Sequence, residues 1–307
     1  MSAEMGDLGK QAPERYAVVT GANKGIGLET VRQLATSGVT VVLTARDEER
    51  GRDAASSLHE SGLSNVVFYQ LDVQDLDSIN SLAKFIQIQY GRLDILVNNA
   101  GISGVIVDED GLRALNVDPS YLGLSGKATN LVQGVIKSTY ANAEQCLNIN
   151  YHGCTRLTEA LLPLLQLSTC TGRIVNVSSL RSELCRIPNA QTRKELADID
   201  NLTEEKIDRI LERFLHDFKQ DALETNGWSK MLPAYSISKA TLNGVLAKKY
   251  PNMLINCVHP GYVNTAINWH NGTMTVEDGA KGSVMLALLP EGGPTGCYFD
   301  RTEVAEF

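Results

Sequence analysis

The sequence predicts an α/β protein built on a doubly wound parallel sheet, with helices covering both faces. Two observations carry this prediction. The first half alternates short β-branched runs with segments of helical period. Runs such as 41–43 and 95–97 are apolar throughout, which is typical of strands that are buried on both faces. Together they indicate repeated strand–helix units feeding one sheet.

Each element follows from its local pattern. Short β-branched or apolar runs predict strands at 16–20, 40–44, 66–70, 93–97, 173–177, 254–259 and 297–299. Longer segments with apolar residues at i, i+3 and i+4 predict helices at 25–37, 47–61, 78–90, 141–167, 203–218, 234–250 and 276–289.

One segment, 184–228, interrupts the alternation and is highly charged. It contains an amphipathic stretch, 203–218, with apolar residues at helical spacing, namely Ile207, Ile210, Leu211, Phe214, Leu215 and Phe218. We expect Thr203 to cap this helix, with either Lys206 or the two glutamates that follow Thr203 completing the first turn. The segment is predicted to be a helical flap inserted into a single domain that spans 1–307, behind a flexible N-terminal tail at 1–14.

Composition excludes several classes of protein. The 307 residues carry 28 Lys+Arg against 36 Asp+Glu, and this acidic balance without a basic cluster argues against a nucleic-acid partner. No apolar run approaches the roughly 20 residues of a membrane-spanning helix, and 1–15 has no signal-peptide core. The six cysteines form no C-x-x-C pair or metal-ligand spacing, which favours reduced thiols. We therefore expect a cytoplasmic protein without membrane, nucleic-acid or metal partners.

A glycine-rich turn follows the first predicted strand and opens the first predicted helix. Glycines allow a tight turn that approaches a pyrophosphate closely, and the free amides of a helix N-terminus attract its negative charge. The turn therefore predicts a dinucleotide site that includes Gly21, Asn23, Lys24, Gly25, Ile26 and Gly27.

Arg46 stands at the tip of the second predicted strand, where an acidic residue grips the ribose hydroxyl of NAD and an arginine accommodates the 2′-phosphate of NADP. Lys24 approaches the same spot from the glycine turn. Two cations there predict NADPH as the cofactor, although Asp47 is the alternative residue that would select NADH.

Tyr235 and Lys239 lie four residues apart on one predicted helix, so their side chains share a face. A nearby ammonium favours the tyrosinate and lowers the pKa of the tyrosine, which makes it a usable proton donor and acceptor. Tyr235 is therefore a candidate catalytic acid, and Lys239 is the cation that would tune its pKa.

Across 15–307 the chain resembles the short-chain dehydrogenase/reductase family, and within it the carbonyl-reductase-like branch that has plant members. The resemblance rests on a set of motifs in the family's order and spacing: Thr20-Gly21 to Gly27, Leu71-Asp72-Val73, Asn98-Asn99-Ala100-Gly101, Asn150, Ser178-Ser179, Tyr235 to Lys239 and Pro260-Gly261.

The resemblance implies roles for these residues. Tyr235 would protonate the carbonyl oxygen, Lys239 would hold the nicotinamide ribose, and Ser179, or alternatively Ser178, would bind the substrate oxygen. Asn150, or alternatively Asn148, would position a proton-relay water. The further cofactor contacts implied are Asp72 and Val73 at the adenine, Asn98 at the adenosine ribose, and Pro260, Gly261, Val263 and Thr265 at the carboxamide and phosphates.

The implied function is NADPH-dependent reduction of a bulky apolar ketone, terpenoid or alkaloid, reversible with its alcohol. Met231 and Tyr262 are expected as pocket walls, and a monomer is implied because such an insertion covers the family's usual pairing surface. Similar plant proteins carry about one more helical turn near 242–247. Because this chain lacks that turn, one alternative is an NADPH-binding protein with little catalysis. A second alternative is a reductase of an enone double bond, which the retained Tyr235 disfavours.

Overall fold

The computed structural model describes residues 14–115, 132, 134–229, 231–242 and 245–307. Within these residues eight strands form one sheet in the order β10-β9-β8-β7-β4-β1-β2-β3. Every pairing is parallel except that of β9 with β10. The strands are β1 Tyr16–Val19, β2 Thr40–Ala45, β3 Val66–Gln70, β4 Ile95–Asn98, β7 Arg173–Val177, β8 Leu254–His259, β9 Tyr298–Asp300 and β10 Glu303–Ala305, while β5 Ile106–Val107 and β6 Ile136–Lys137 pair separately. The predicted doubly wound α/β fold is confirmed.

Helices lie on both faces of the sheet. Those described are α1 Gly25–Thr36, α2 Glu48–Glu60, α3 Leu76–Tyr90, α4 Glu109–Ala114, α5 Tyr140–Leu147, α6 Cys154–Leu165, α7 Ala190–Ala197, α8 Glu204–Lys219, α9 Pro233–Thr241, α10 Val245–Lys249 and α11 Val276–Ala287. No helix among the described residues is long and apolar enough to cross a membrane.

Two buried clusters sandwich the sheet, because neighbouring strand residues point to opposite faces. Val41 and Leu43 pack with residues of α1, α2 and α11 on one face. Val42 points to the other face and packs with residues of α3 and α6. Burial on both sides explains why the strands read as continuous apolar runs rather than as alternating patterns.

Two helices that the sequence predicts to be continuous are interrupted in the structure. The predicted helix 141–167 is broken by a π-helical turn, Asn148–Gly153, between α5 and α6. The predicted helix 234–250 is interrupted, because α9 ends at Thr241, Leu242 lies in a turn, and α10 begins at Val245. The expectation that similar plant proteins carry about one more helical turn near 242–247 concerns in part Asn243 and Gly244, which lie outside the described residues.

The chain ends hold two further differences. β10 was not predicted, and it turns back to pair antiparallel with β9 at the edge of the sheet. Residues 1–13 of the predicted tail lie outside the described part of the chain. Its last residue, Glu14, accepts hydrogen bonds from Tyr16 and Arg92, at 2.9 and 2.6 Å, and so is held against the domain.

The segment 184–228 contains α7 and α8. The apolar stripe of α8 packs on α5 and α9 in a third buried cluster, in which Phe214 meets Trp228 edge-on at 5.2 Å between ring centroids. The buried indole of Trp228 donates to Asp217 on α8 at 2.8 Å, so the end of the segment is tied to its helix. The predicted cap is confirmed, because Thr203 accepts from the amide of Lys206 at 3.3 Å.

Replacing the capping residue should measurably weaken this segment. Thr203→Ala leaves the Lys206 amide without its side-chain acceptor, and we expect the free energy of unfolding to fall by about 1 kcal/mol. Urea denaturation measures the change. Thr302→Ala, in the exposed turn between β9 and β10, is the control and should change stability by less than about 0.5 kcal/mol. Equal stability of the two variants would show that the cap contributes nothing.

Candidate active site

A cavity of about 940 Å³ opens where the strands end. Its walls come from the segments that follow β1, β2, β3, β4, β7 and β8, which is where ligands bind in doubly wound sheets. Most of the predicted site residues line it: Gly21, Asn23, Lys24, Gly25, Ile26, Gly27, Arg46, Asp72, Val73, Ser179, Tyr235, Lys239, Pro260, Gly261, Val263 and Thr265. The expected walls Met231 and Tyr262 line it too.

The glycine turn has the backbone that a pyrophosphate cradle requires. Gly21 and Gly25 have φ of 61° and 59°, a region that residues with a Cβ rarely adopt. Lys24 precedes α1 in an extended conformation, and no side chain of the described residues caps the helix start. The first amides of α1 therefore remain available to an anion at the cavity.

Gly27 is required for a different reason, because there is no room for a Cβ at this position. A Cβ there would lie 2.4 Å from Asn99 Nδ2 and 2.7 Å from the Gly21 carbonyl oxygen. The Asn99 amide donates to Thr20 O and Gly21 O at 2.8 and 3.2 Å, so it fastens the glycine turn to the end of β4. Only a glycine at 27 lets α1 approach this close.

Three cations stand at the end of the cavity that lies beside β2. Lys24 and Arg46 were predicted there, and Arg50 lines the same wall. Asp47 is engaged elsewhere: it caps α2 by accepting from the Arg50 amide at 3.0 Å, and its other oxygen lies 3.5 Å from Arg50 Nε. Sequence reasoning missed Arg50, although a cation in the first turn of the helix after Arg46 was a usable signal.

The remaining predicted contacts approach from β3 and β8. Asp72 accepts from the Gln74 amide at 2.9 Å, which shapes the turn after β3 beside Val73. On the opposite side, the Thr265 methyl group would lie 3.4 Å from a Cβ at Gly25. The loop that follows β8 therefore reaches across to the glycine turn.

Ser179, Tyr235 and Lys239 meet at the other end of the cavity. Ser179 and Tyr235 both line this end, and the side chain of Ser179 acts to lower the pKa of Tyr235. The Lys239 ammonium lies 5.9 Å from the centre of the Tyr235 ring and donates to the Val177 carbonyl oxygen at 2.7 Å. Ser178, the alternative serine, is engaged with Ser182 Oγ at 3.0 Å, so Ser179 is the serine that faces the tyrosine.

The expected lowering of the tyrosine pKa by Lys239 is wrong for this arrangement. Burial raises the pKa of Tyr235, and the hydrogen bond from Ser179 and the charge of Arg181 oppose that rise only in part. The ammonium of Lys239 is directed to the Val177 carbonyl oxygen rather than to the phenol. Burial likewise lowers the pKa of Lys239.

Asn98 and Asn150 are not among the described residues that line the cavity, and their predicted roles at the adenosine ribose and at a relay water stay predictions. Asn98 bridges strands and helix by donating to Asn176 Oδ1 and Thr158 Oγ1, at 2.9 and 3.2 Å. Asn150, within the π-helical turn, accepts from the Ile102 amide at 2.9 Å. It also donates to the Ile102 carbonyl and to Ser238 Oγ, both at 3.0 Å, so it braces the segment after β4 against α9.

Arg181 is a second residue that sequence reasoning missed. It lies two residues after Ser179, is 8% exposed and lines the cavity near Met231, Tyr235 and Tyr262. One of its terminal nitrogens is 3.4 Å from Met231 Sδ. Its position directly after the serine pair was the available signal.

Comparison with known proteins gives one consistent family. Residues 15–118 match the model of a family described as short chain dehydrogenase. A protein named short-chain dehydrogenase/reductase 1 from Saponaria officinalis is 50% identical over 305 residues, covering 96% of this chain and 97% of its own. The (+)-neomenthol dehydrogenase of Arabidopsis thaliana is 48% identical over 300 residues, covering 95% and 98%.

A solved structure agrees over nearly the whole chain. The structure of salutaridine reductase from Papaver somniferum superposes with a TM-score of 0.86 at 46% identity, covering 94% of this chain and all of that one.

Proposed function

The chain belongs to the short-chain dehydrogenase/reductase family, and we propose that it is an NADPH-dependent reductase that converts a bulky, largely apolar ketone, a terpenoid or alkaloid, reversibly to its alcohol. That it is an oxidoreductase enzyme follows from its close relatives, which are named as reductases and dehydrogenases. The observation that carries the finer proposal is a cavity with a phosphate cradle at one end and Ser179, Tyr235 and Lys239 at the other.

The chemistry divides between cofactor and protein. NADPH, when bound, supplies the hydride that adds to the carbonyl carbon. Tyr235 donates its phenolic proton to the carbonyl oxygen, and the raised pKa of Tyr235 keeps that proton in place at neutral pH. Ser179 donates a hydrogen bond to the same oxygen and stabilises the charge that develops on it.

Lys239 and Asn150 support this geometry. Lys239 is anchored on the Val177 carbonyl oxygen at the end of β7 and its ammonium lies 5.9 Å from the centre of the Tyr235 ring, where it would hold the ribose of the nicotinamide. A methyl group on Gly101 would lie 3.2 Å from Asn150 Oδ1 and 3.5 Å from Lys239 Nζ. Asn150 therefore acts as a positioning residue behind Gly101.

Selection of NADPH over NADH rests on the three cations beside β2. Lys24, Arg46 and Arg50 line the place where the 2′-phosphate would lie. Asp47 serves as the cap of α2 and is paired with Arg50, which leaves it poorly placed to accept from a ribose hydroxyl.

Reversing the charge at Arg46 should remove much of the preference for NADPH over NADH. In Arg46→Asp the new carboxylate repels the 2′-phosphate and can accept from a ribose hydroxyl, so we expect the NADPH-to-NADH ratio of kcat/KM to fall by roughly 10- to 100-fold. Initial rates with both cofactors measure the ratio. Arg52→Asp, on the helix α2 that follows Arg46, is the control, because Arg52 is paired with Glu48 at 2.6 Å and does not line the cavity. An unchanged ratio in Arg46→Asp would refute this account of cofactor choice.

The substrate class is supported by the walls at the catalytic end. Leu180, Met231, Ile267 and Trp269 contribute apolar surface around Tyr235. Relatives named for neomenthol and salutaridine act in the same structural frame. In this proposal the protein is cytoplasmic, and it acts as a monomer because α8 packs on α5 in the buried cluster that also contains residues of α9.

The proposal is tested by following NADPH absorbance with purified protein and a panel of menthone, other cyclic terpenoid ketones, morphinan-type ketones and simple aryl ketones. Turnover of at least one bulky ketone with formation of its alcohol is expected. Tight NADPH binding without turnover across the panel would favour the non-catalytic alternative, for which the reason would be the catalytic helix that is about one turn shorter near 242–247 than in similar plant proteins.

A further inference from the structure

Tyr298 is a buried tyrosine of β9 whose hydroxyl group reaches the segment that carries Ser179. The hydroxyl donates to the Ser179 carbonyl oxygen at 3.1 Å, and the residue is 4% exposed. In the sheet, β8 lies between β9 and β7, so this hydrogen bond spans a whole strand. The proposed hydride and proton transfers do not use Tyr298.

The Ser179 carbonyl oxygen is the point at which the turn after β7 is held. It accepts from the Ser182 amide at 2.9 Å and from the Ser182 hydroxyl at 2.6 Å, and these bonds close the 3₁₀ turn Leu180–Ser182 on Ser179. Both bonds are local in sequence. Tyr298, in contrast, comes from 119 residues further along the chain and attaches the turn to β9.

The surroundings of Tyr298 keep its hydroxyl group a donor. Burial raises the pKa of Tyr298, so the phenol stays protonated at neutral pH. Its ring packs against the ring of Phe307, with 6.0 Å between the centroids. A protonated hydroxyl has one proton to donate, and the Ser179 carbonyl oxygen accepts it.

Ser179 is the residue through which this contact can affect the reaction. Its side chain acts to lower the pKa of Tyr235, and both residues line the catalytic end of the cavity. In the proposed function the Ser179 hydroxyl binds the carbonyl oxygen of the substrate. A displacement of about 1 Å in such a group can reduce the rate by roughly 100-fold, so the backbone that carries it must be held firmly.

We propose that Tyr298 is a positioning residue, which holds the Ser179 backbone so that the Ser179 hydroxyl faces Tyr235 and the substrate oxygen. This inference rests on the proposed function for the role of Ser179. It extends the catalytic machinery to β9, a strand outside the cavity wall.

Tyr298→Phe tests the proposal by removing the hydroxyl group alone, since the ring that packs on Phe307 remains. We expect kcat for the ketone that turns over fastest to fall by roughly 2- to 10-fold, the effect of one hydrogen bond. The NADPH dissociation constant from fluorescence should stay within about twofold, because the phosphate cradle lies at the other end of the cavity. Tyr140→Phe, which removes an exposed hydroxyl bonded to Glu144 at 3.4 Å, is the matched control and should leave kcat unchanged.

A double-mutant cycle separates positioning of Ser179 from a general structural role. If Tyr298 acts through the Ser179 hydroxyl, then adding Tyr298→Phe to Ser179→Ala should change kcat by less than about twofold. Effects that multiply would show that the two residues act independently. Multiplying effects, or a wild-type kcat in Tyr298→Phe, would overturn the proposal.

Crystal structures with NADP⁺ bound provide a readout that does not depend on turnover. In Tyr298→Phe we expect the Ser179 hydroxyl to be displaced from its wild-type position beside Tyr235, or to occupy two rotamers. An unmoved Ser179 would overturn the role of Tyr298 and leave the ketone reductase intact. If Tyr298→Phe does not bind NADPH, the wild-type structure decides, because a Tyr298 hydroxyl that does not contact the Ser179 carbonyl oxygen would also overturn it. Displacement of Ser179 without turnover of any ketone by the wild type would support the anchoring and overturn the reductase.

Discussion

A Tyr235→Phe protein is expected to lose roughly 10²- to 10⁴-fold in kcat for ketone reduction, the range that a positioned general acid contributes. The substitution removes one hydroxyl group and keeps the ring that packs on the cavity wall. The anchoring of Lys239 on the Val177 carbonyl oxygen does not depend on the phenol. NADPH affinity should therefore stay within a few-fold of wild type.

The measurement is kcat from initial rates together with the NADPH dissociation constant from fluorescence. Tyr69→Phe serves as the control, because Tyr69 lies in the edge strand β3 with its ring tilted against that of Phe85 in α3, 4.6 Å between centroids. It should leave kcat unchanged. Full ketone reduction by Tyr235→Phe would remove Tyr235 from the role of proton donor.

Gly27→Ala should damage both the cofactor site and the fold. The added methyl group would lie 2.4 Å from Asn99 Nδ2, 2.7 Å from Gly21 O and 3.0 Å from Ala22 Cα, and two of these atoms are backbone. Relief requires α1 to move away from the glycine turn, or Asn99 to release it. We expect NADPH to bind at least roughly 10-fold more weakly, and the free energy of unfolding to fall by about 1–3 kcal/mol.

Fluorescence titration with NADPH and urea denaturation measure the two effects. Gly134→Ala is the matched control, because a Cβ at Gly134 would meet no atom of the described residues within 4 Å. It should change stability by less than about 0.5 kcal/mol and leave NADPH affinity unchanged. Wild-type affinity in Gly27→Ala would mean that the close approach of α1 to the turn is not needed for cofactor binding.

The fold was predictable because its signals are local and repeated. Apolar strands such as β2 and β4 alternate with helices whose caps are visible in the chain, as Asp47 shows at the start of α2. Interruptions were harder to predict. The π-helical turn around Asn150 depends on hydrogen bonds to Ile102 and Ser238, which are 48 and 88 residues away in sequence. No periodicity in the helix itself reveals such partners.

The candidate site likewise contains residues that the sequence predicted and residues that it did not. Residues such as Gly21, Arg46 and Tyr235 belong to motifs whose spacing has a physical reason, and the structure brings them to one cavity. Arg50 and Arg181 were missed because a surface cation and a buried one look alike in sequence. The direction of the Tyr235 pKa shift could not be predicted from the sequence either, because it depends on burial and on the direction of the Lys239 ammonium in the folded protein.

The most direct test of the reductase proposal traces the hydride. The protein is incubated with NADPH that carries deuterium at both C4 positions, and with menthone and cyclohex-2-enone in parallel; mass spectrometry and NMR then locate the label in the products. The account predicts alcohols with deuterium on the carbon that bore the ketone oxygen. Deuterium on the β-carbon of a saturated ketone, or NADPH bound without any labelled product, would contradict it.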